Sequence, residues 1–511
     1  MARRDRTTAA FLALLACAPA ALAEDPPPAA RAAHAGHDVG RVPFPTSCAP
    51  AVQPEIEHAV ALLHHMTYPQ AQAGFESAGR RDPDCAMAHW GIAMTLFTPL
   101  WPTRPSLAER TRGWQEVKRA RALRTTPRER ALIDAVAAFF EDPASEDYWA
   151  RIRRWEQASA RAHGAFPDDD DINALYALSL IATTPADKAD RTHADQAAAL
   201  LQQVHAHNPT HPGAMHYLVH ASDVPGRERT SLGNTRAYER IAPDNPHALH
   251  MPTHVYVRLG DWDGVIRGNL RAADAALRYP AGEKGEYVWD EFPHAIEYLV
   301  YAYLQDGKAS DAAKQRDRLH NTARLQPSFK TAFHLASTQA RCALEPRDWK
   351  ASAAIVPRQP ADIAWDKFPW AEAVSQFAHG MGAANLGRKE DARTAIARLG
   401  ELQAKAGEAK EMLFERNIHM LRLELESALA QANGRSPEAV SKLEAAVDLE
   451  ATTPKPPVTP APTLPANELL GDLYVALGRT DDARAAYRKV LERYPNRLHA
   501  TQALARLDKA R

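Results

Sequence analysis

Four histidines define the chemistry open to this chain. His216 and His220 stand four residues apart, as do His250 and His254, and the second pair follows the first by 34 residues at both members. Four residues is just over one helical turn, so on a helix each pair presents both imidazoles on one face. Two such pairs on neighbouring helices bring four ring nitrogens together, a donor set suited to Zn, Cu, Fe, Mn or Ni, with the residue types alone choosing none of them. His247 and His294 add two more nitrogen donors nearby, and we take all six histidines as the metal ligands. Three neighbouring groups suit proton transfer: Asp223 and Glu297 as bases and Tyr301 as an acid. Such a site stores or carries metal, or activates water or oxygen as in a metal-dependent hydrolase or oxidoreductase. Two other readings use the same residues. Histidines also hydrogen-bond to backbone and carboxylates of neighbouring helices, and an imidazole-lined groove can read an anionic or peptide ligand more strongly below about pH 6.5.

The remaining histidines are set apart from this group. His64 and His65 are adjacent and point to different helix faces, so at most one of them joins a site. His89, His334 and His379 are expected in the core or groove wall, and His34 and His37 in a solvated tail. Glu291 and His294 have the spacing of carboxylate-bridged di-metal bundles, but there is no second copy. No HExxH, no CxxCH, no GxGxxG before a helix and no phosphate-binding Gly-Lys loop is present. With 62 Lys plus Arg against 63 Asp plus Glu, no single-sign field exists to hold nucleic acid or an anionic membrane.

The elements that must position these residues are helices. Apolar stripes begin near Pro54 with Ile56, Val60 and Leu63, and no stretch alternates with the period of a strand. Trp114, Trp149 and Trp155 are expected as core or interhelical fillers, and the acidic run Asp168 to Asp171 as the cap of the helix that follows. A 34-residue spacing is the period of the tetratricopeptide repeat. Near the C-terminus Leu470, Gly471, Tyr474, Gly478, Ala483, Tyr487 and Pro495 resemble that family's signature in order. The stretches HPGAMHY and HALHMPTHVY are similar to those of a group of exported bacterial tetratricopeptide proteins. The resemblance implies an all-α, tetratricopeptide-type α-solenoid, a right-handed superhelix of helix-turn-helix repeats, and implies no activity. In that family four positions of each first helix line the concave groove. In units starting at Pro212, Pro246 and Pro293 those positions fall on His216, His220 and Asp223, on His247, His250 and His254, and on His294, Glu297 and Tyr301. The groove implies a peptide, small-molecule or protein partner, and a non-catalytic scaffold is the rival to a metal site.

Domain boundaries follow from composition. Residues 1–23 carry Arg3, Arg4 and Arg6, an apolar run and Ala-Leu-Ala, a secretory signal peptide that predicts a periplasmic or secreted protein. The alternative is a lipobox leaving Cys17 as a lipid-bearing terminus. Residues 24–45 are expected as a disordered lead-in, 46–450 as the helical superhelix, 451–466 as a Pro-rich linker and 467–511 as the terminal repeat. No later apolar run is long enough to span a bilayer. Cys48 and Cys85 pair in an oxidising compartment, worth about 3 to 4 kcal/mol by loop closure; all three remaining cysteines as buried thiols is the other reading.

Overall fold

The computed structural model describes residues 37–101, 104–145, 147–184, 190–223, 226–229, 231–282 and 284–509. The signal peptide, Cys17 and His34 fall outside these residues. The array opens with α1 (Gln53–His64), α2 (Tyr68–Arg81) and α3 (Ala86–Thr95), each packed on the next. It continues through α4 (Leu107–Ala122), α5 (Pro127–Phe140), α6 (Tyr148–Ala165), α7 (Asp170–Thr183) and α8 (Thr192–His207). The central section holds α9 (Pro212–Ser222), α10 (Leu232–Ile241), α11 (Pro246–His250), α12 (Pro252–Leu259) and α13 (Trp262–Ala276). A minimal hairpin, β1 (Pro280–Ala281) with β2 (Tyr287–Val288), leads into α14 (Glu291–Gln305), α15 (Ala309–His320), α16 (Phe329–Leu344) and α17 (Trp349–Ala353). After a 3-10 turn at Trp365–Lys367 come α18 (Pro369–Asn385), α19 (Lys389–Glu408), α20 (Met412–Ala432) and α21 (Ser436–Ala451), and after the Pro-rich segment α22 (Ala466–Ala476), α23 (Thr480–Arg493) and α24 (Leu498–Lys509). This is an all-α, tetratricopeptide-type solenoid.

Both ends of the array return to its middle. Helix α1 packs on α9, and α24 packs on α14. Trp262 donates its indole N–H to the Asn496 carbonyl at 3.3 Å, and Asn496 donates to the Gly260 carbonyl at 3.2 Å. The helices that carry the histidines are therefore covered from both termini. None of the described helices is long and apolar enough to cross a membrane.

Three expectations change here. Residues 37–45 are not a disordered lead-in, because Val39, Val42 and Phe44 are buried and Phe44 stacks on Trp90 at 5.4 Å. His37 accordingly lies against Tyr279 rather than in a solvated tail. The Cys48–Cys85 disulfide ties the chain just after this stretch to the start of α3, leaving Cys342 as the free thiol among the described residues. Of the tryptophans, Trp155 is buried and Trp114 packs on the core, but Trp149 is 48% exposed with Arg104 over its ring. The acidic run caps as expected: Asp169 accepts from the Ile172 N–H at 3.0 Å.

The Pro-rich segment is the largest departure. It is not a linker on the surface, because Val458, Ala461 and Leu464 belong to the main core and Thr459 is 3% exposed. The physical reason lies in its composition. Pro454, Pro456, Pro457, Pro460, Pro462 and Pro465 carry no N–H, so this strap, which turns at 456–459, can be buried with few orphaned donors. Its carbonyls find a donor in Arg341, which reaches Pro462 O at 3.1 Å and Ala461 O at 2.6 Å.

Candidate metal centre

Local sequence explains why the histidines face inward. Pro212 occupies the first turn of α9, and the His211 imidazole caps it by accepting from the Ala214 N–H at 3.1 Å. Asn245 caps α11 in the same way, accepting from the Ala248 N–H at 2.9 Å. The helix runs on through Met251 (φ −54°, ψ −40°) into α12, with Pro252 removing one donor at the junction. Two glycines permit close approach. A Cβ on Gly213 would stand 2.4 Å from His64 Nδ1, and one on Gly268 would stand 2.6 Å from Thr253 Cγ2. The first contact brings α9 against α1, and the second brings α13 against α11 and α12.

These approaches fix the protonation of the rings. His216 Nδ1 lies 2.6 Å from the His64 carbonyl oxygen, which can only accept, so Nδ1 carries the proton. His250 Nδ1 lies 2.6 Å from Asn269 Oδ1, and Asn269 is oriented by its own donation to the Val265 carbonyl at 2.9 Å. His254 Nδ1 donates to Asp223 Oδ2 at 3.0 Å, and His247 Nδ1 to Glu291 Oε2 at 3.1 Å. His294 Nδ1 donates to His334 Nε2 at 3.1 Å, and His334 Nδ1 in turn to Glu297 Oε2 at 2.5 Å. Burial, reinforced by neighbouring imidazoles, holds His216, His250 and His294 well below the usual histidine range; burial also lowers His254, against the pull of Asp223. His216, His250, His254 and His294 are therefore neutral, and each ring with a proton on Nδ1 keeps a lone pair on Nε2.

Those lone pairs converge. The ligand atoms of His216, His220 and His247 lie within 4.8 Å of one another, and the same holds for His250, His254 and His294. His250 Nε2 and His254 Nε2 face each other at 3.0 Å, two acceptors with no proton between them. His216 Nε2 and His220 Nε2 stand 3.1 Å apart. His247 Nε2 is buried with no hydrogen-bond partner. The two groups adjoin, with the ring centroids of His247 and His250 6.3 Å apart. A small cavity of about 40 Å³ lies over them, walled by Met66, Leu100, Trp101, Met251, Pro457 and Val458.

All six expected ligands are thus brought together, and the three expected proton-transfer groups are not. Glu297 is enclosed by His334, Ser337 at 2.6 Å, Arg341 at 3.2 Å and Thr459 at 3.1 Å. Burial raises its pKa, yet His334 and Arg341 outweigh that and hold it below the usual range. It acts on His294 only through His334. Asp223 is likewise committed, to His254, to Arg258 at 2.5 Å and to Lys455 at 3.5 Å. Tyr301 packs on Trp262, with ring centroids 5.6 Å apart, under the Arg341 guanidinium. It lies two turns, about 10 Å, beyond His294 along the helix. The hydroxyl beside the centre belongs to Tyr298, 3.4 Å from His254 Nε2, with its ring 4.6 Å from that of His250.

Sequence reasoning missed the groups that hold the ligands: Asn269, Glu291, His334, Tyr298, Lys330 and the strap. The Glu291 and His294 spacing was a signal, but Glu291 holds His247 and is itself paired with Lys330. His334, placed in the groove wall, relays Glu297 to His294. His64 and His65 send neither ring to the centre. His64 meets Asp171 at 3.3 Å, and His65 meets Tyr238 at 2.7 Å and the Val39 carbonyl at 2.9 Å. His89 binds Glu116 at 2.6 Å and His379 the Ile355 carbonyl at 3.0 Å, both structural.

Residues 468–497 match the tetratricopeptide repeat family model. No curated protein matches the chain. Among solved structures, the human IFIT1 dimer with m7Gppp-AAAA is similar at 12% identity and a TM-score of 0.38, over 79% of this chain and 86% of that one. The human IFIT1 dimer with PPP-AAAA is similar at 14% identity and a TM-score of 0.31, over 78% of this chain and 73% of that one. Likeness at these scores says nothing about ligand or activity.

Proposed function

We propose that this tetratricopeptide repeat protein binds transition metal through His216, His220, His247, His250, His254 and His294. One observation carries the reading: five of these rings have Nδ1–H held by an acceptor, which leaves their Nε2 lone pairs turned toward one another. Ligating histidines are commonly oriented in this way, through an acceptor on the far ring nitrogen. Facing lone pairs repel, and a cation at their meeting point turns that contact into binding. Two nitrogens at 2.0–2.1 Å from a tetrahedral ion stand about 3.3 Å apart, so the facing pairs His216–His220 and His250–His254 need open only a few tenths of an ångström.

The chemistry such a centre could perform is narrowed by what surrounds it. Asp223 and Glu297 position ligands, so one group beside the centre able to give a proton is the Tyr298 hydroxyl, which burial holds well above its ordinary pKa and therefore protonated. The cavity has room for water or a small ligand, which favours storage, transfer or small-molecule chemistry over action on a polymer. The disulfide supports export to an oxidising compartment.

The experiment is elemental analysis of the mature protein, purified untagged from metal-replete culture, beside a His250→Ala/His254→Ala variant. One or two equivalents of metal, reduced in the variant, are expected; none in the wild-type protein overturns the reading. A second reading, a scaffold for peptides or protein partners, draws on the strap. The strap occupies the space over the rings with its own chain, and an outside peptide would have to displace it. A pull-down that recovers a partner only when residues 454–465 are replaced by a Gly-Ser linker would favour that reading.

A further inference from the structure

We propose that the centre is built for two copper(I) ions, one on His216, His220 and His247 and one on His250, His254 and His294. This rests on the metal-binding reading above and adds the metal, its charge and the number of ions.

The donors come first. Each triad supplies three imidazoles, and the nearby carboxylates Asp223, Glu291 and Glu297 are turned to the far sides of the rings. Zinc sites built from three protein ligands complete their shell with water or substrate. Copper(I) is satisfied by few neutral nitrogen and sulfur donors, and thioether sulfur is among the ligands that select it. The triads adjoin without sharing a ring, and His247 Nε2, buried and unpartnered, faces the first. Three donors on each side make two positions rather than one.

Charge comes next. Around the rings stand four carboxylates, Asp223, Asp290, Glu291 and Glu297, and four cations, Arg258, Lys330, Arg341 and Lys455. Asp223 pairs with Arg258 and Lys455, Glu291 and Asp290 with Lys330, and Glu297 with Arg341. The surroundings are already balanced, so the charge of any bound ion is left over. In a buried site an uncompensated charge is costly, and the cost rises steeply with its magnitude. Two monovalent ions leave half the surplus of two divalent ones.

Sulfur is the third observation. Met66 and Met251 both line the cavity over the rings and are nearly fully buried. Met66 sits just past the end of α1 at φ +55°, in the left-handed region where glycine is the favoured residue. From there its side chain lines the cavity over the rings. Met251 lies between α11 and α12, directly after His250.

The test uses metal-free full-length mature protein. It is titrated anaerobically with copper(I) against a copper(I)-specific chromophoric chelator, and separately with zinc(II) against a zinc chelator. Two copper ions per chain are expected, with bound zinc displaced by equimolar copper(I). Met66→Leu/Met251→Leu keeps the side-chain volumes and is checked by thermal melting; its ratio of copper(I) to zinc(II) affinity should fall at least tenfold. X-ray absorption of the copper-loaded protein should show a sulfur scatterer that this variant loses. Zinc retained against copper(I), one ion per chain, or an unchanged ratio in the variant overturns the copper inference and leaves metal binding standing. Failure to bind either metal overturns both.

Discussion

Two clusters in this molecule bring histidines within ligand distance, and they are wired in opposite senses. At the N-terminal cluster His64 and His211 both point Nε2 at Asp171 Oδ1, each at 3.3 Å. His211 Nδ1 accepts the Ala214 N–H, and His64 Nδ1 lies 3.1 Å from the Tyr217 hydroxyl. The proton therefore sits on Nε2 and points inward, at a carboxylate that Arg128 also holds at 3.0 Å. At the central cluster the acceptors stand outside and the protons point outward, so the lone pairs meet. The same residue types at similar distances make a closed hydrogen-bond knot in one place and leave ring lone pairs facing one another in the other. The partner of the far nitrogen decides which.

The largest effect expected from this contrast is on metal content. His250→Ala/His254→Ala should lose the second ion entirely and leave the protein folded. His211→Ala should keep every bound ion and instead lower stability, by about 1–3 kcal/mol, because Asp171 loses a donor and α9 its cap. Metal analysis and denaturant unfolding of the two variants read both results. Loss of metal from His211→Ala would erase the distinction drawn between the clusters.

Next in size is the outer partner. Asn269→Leu leaves all six ligands in place but removes the acceptor that fixes His250, so metal affinity should fall about 10- to 100-fold. Tyr217→Phe, the corresponding change beside His64, should leave affinity unchanged. Competition with a chromophoric chelator distinguishes the two, and equal affinities would show that the tautomer at His250 does not depend on Asn269.

The sequence made one half of this centre readable. A helical turn between His216 and His220, and again between His250 and His254, with one repeat between the pairs, was enough to place the ligands. The holding groups left no such trace, since Asn269 comes from α13 and His334 from α16, helices whose offsets carry no histidine pattern. Tyr301 was misplaced because it shares a helix face with His294 while standing two turns further along. The strap shows the limit differently. Its prolines argue for an extended chain, whereas the chain turns at 456–459 and lies buried with Arg341 donating to its carbonyls, which composition does not say. The all-α repeat was legible because period and signature residues recur; a contact made once does not.

A smaller effect, on stability against pH, sharpens the contrast at Asp171. Burial pushes this carboxyl up, but hydrogen bonds from His211 and His64 overcome that and hold it below the usual aspartate range. A folded-state pKa lower than the unfolded one stabilises the protein above the unfolded value of about 4, and that contribution is lost as pH falls below it. Asp171→Asn should therefore cost about 1–3 kcal/mol at pH 7, and its deficit relative to wild type should shrink toward pH 3. A deficit constant with pH would mean that Asp171 contributes through shape alone.

The smallest effect expected is at the strap, where the outer network of the central cluster ends. The Thr459 hydroxyl accepts from Arg341 at 3.0 Å and has its one proton within reach of both the Ala461 carbonyl at 2.9 Å and Glu297 at 3.1 Å, joining the strap to the carboxylate behind His334 and His294. Glu297 keeps three other donors when this one is removed, so the ring orientation survives. Thr459→Ala should cost about 1–2 kcal/mol in denaturant unfolding and leave metal stoichiometry as it was. The strap's hold on the groove should weaken nonetheless, because one of the contacts that seats it is gone. Metal exchange into a competing chelator should then run several-fold faster at unchanged equilibrium affinity. Unchanged exchange would place the path to the histidines elsewhere than under Pro457 and Val458, between the strap and Trp101.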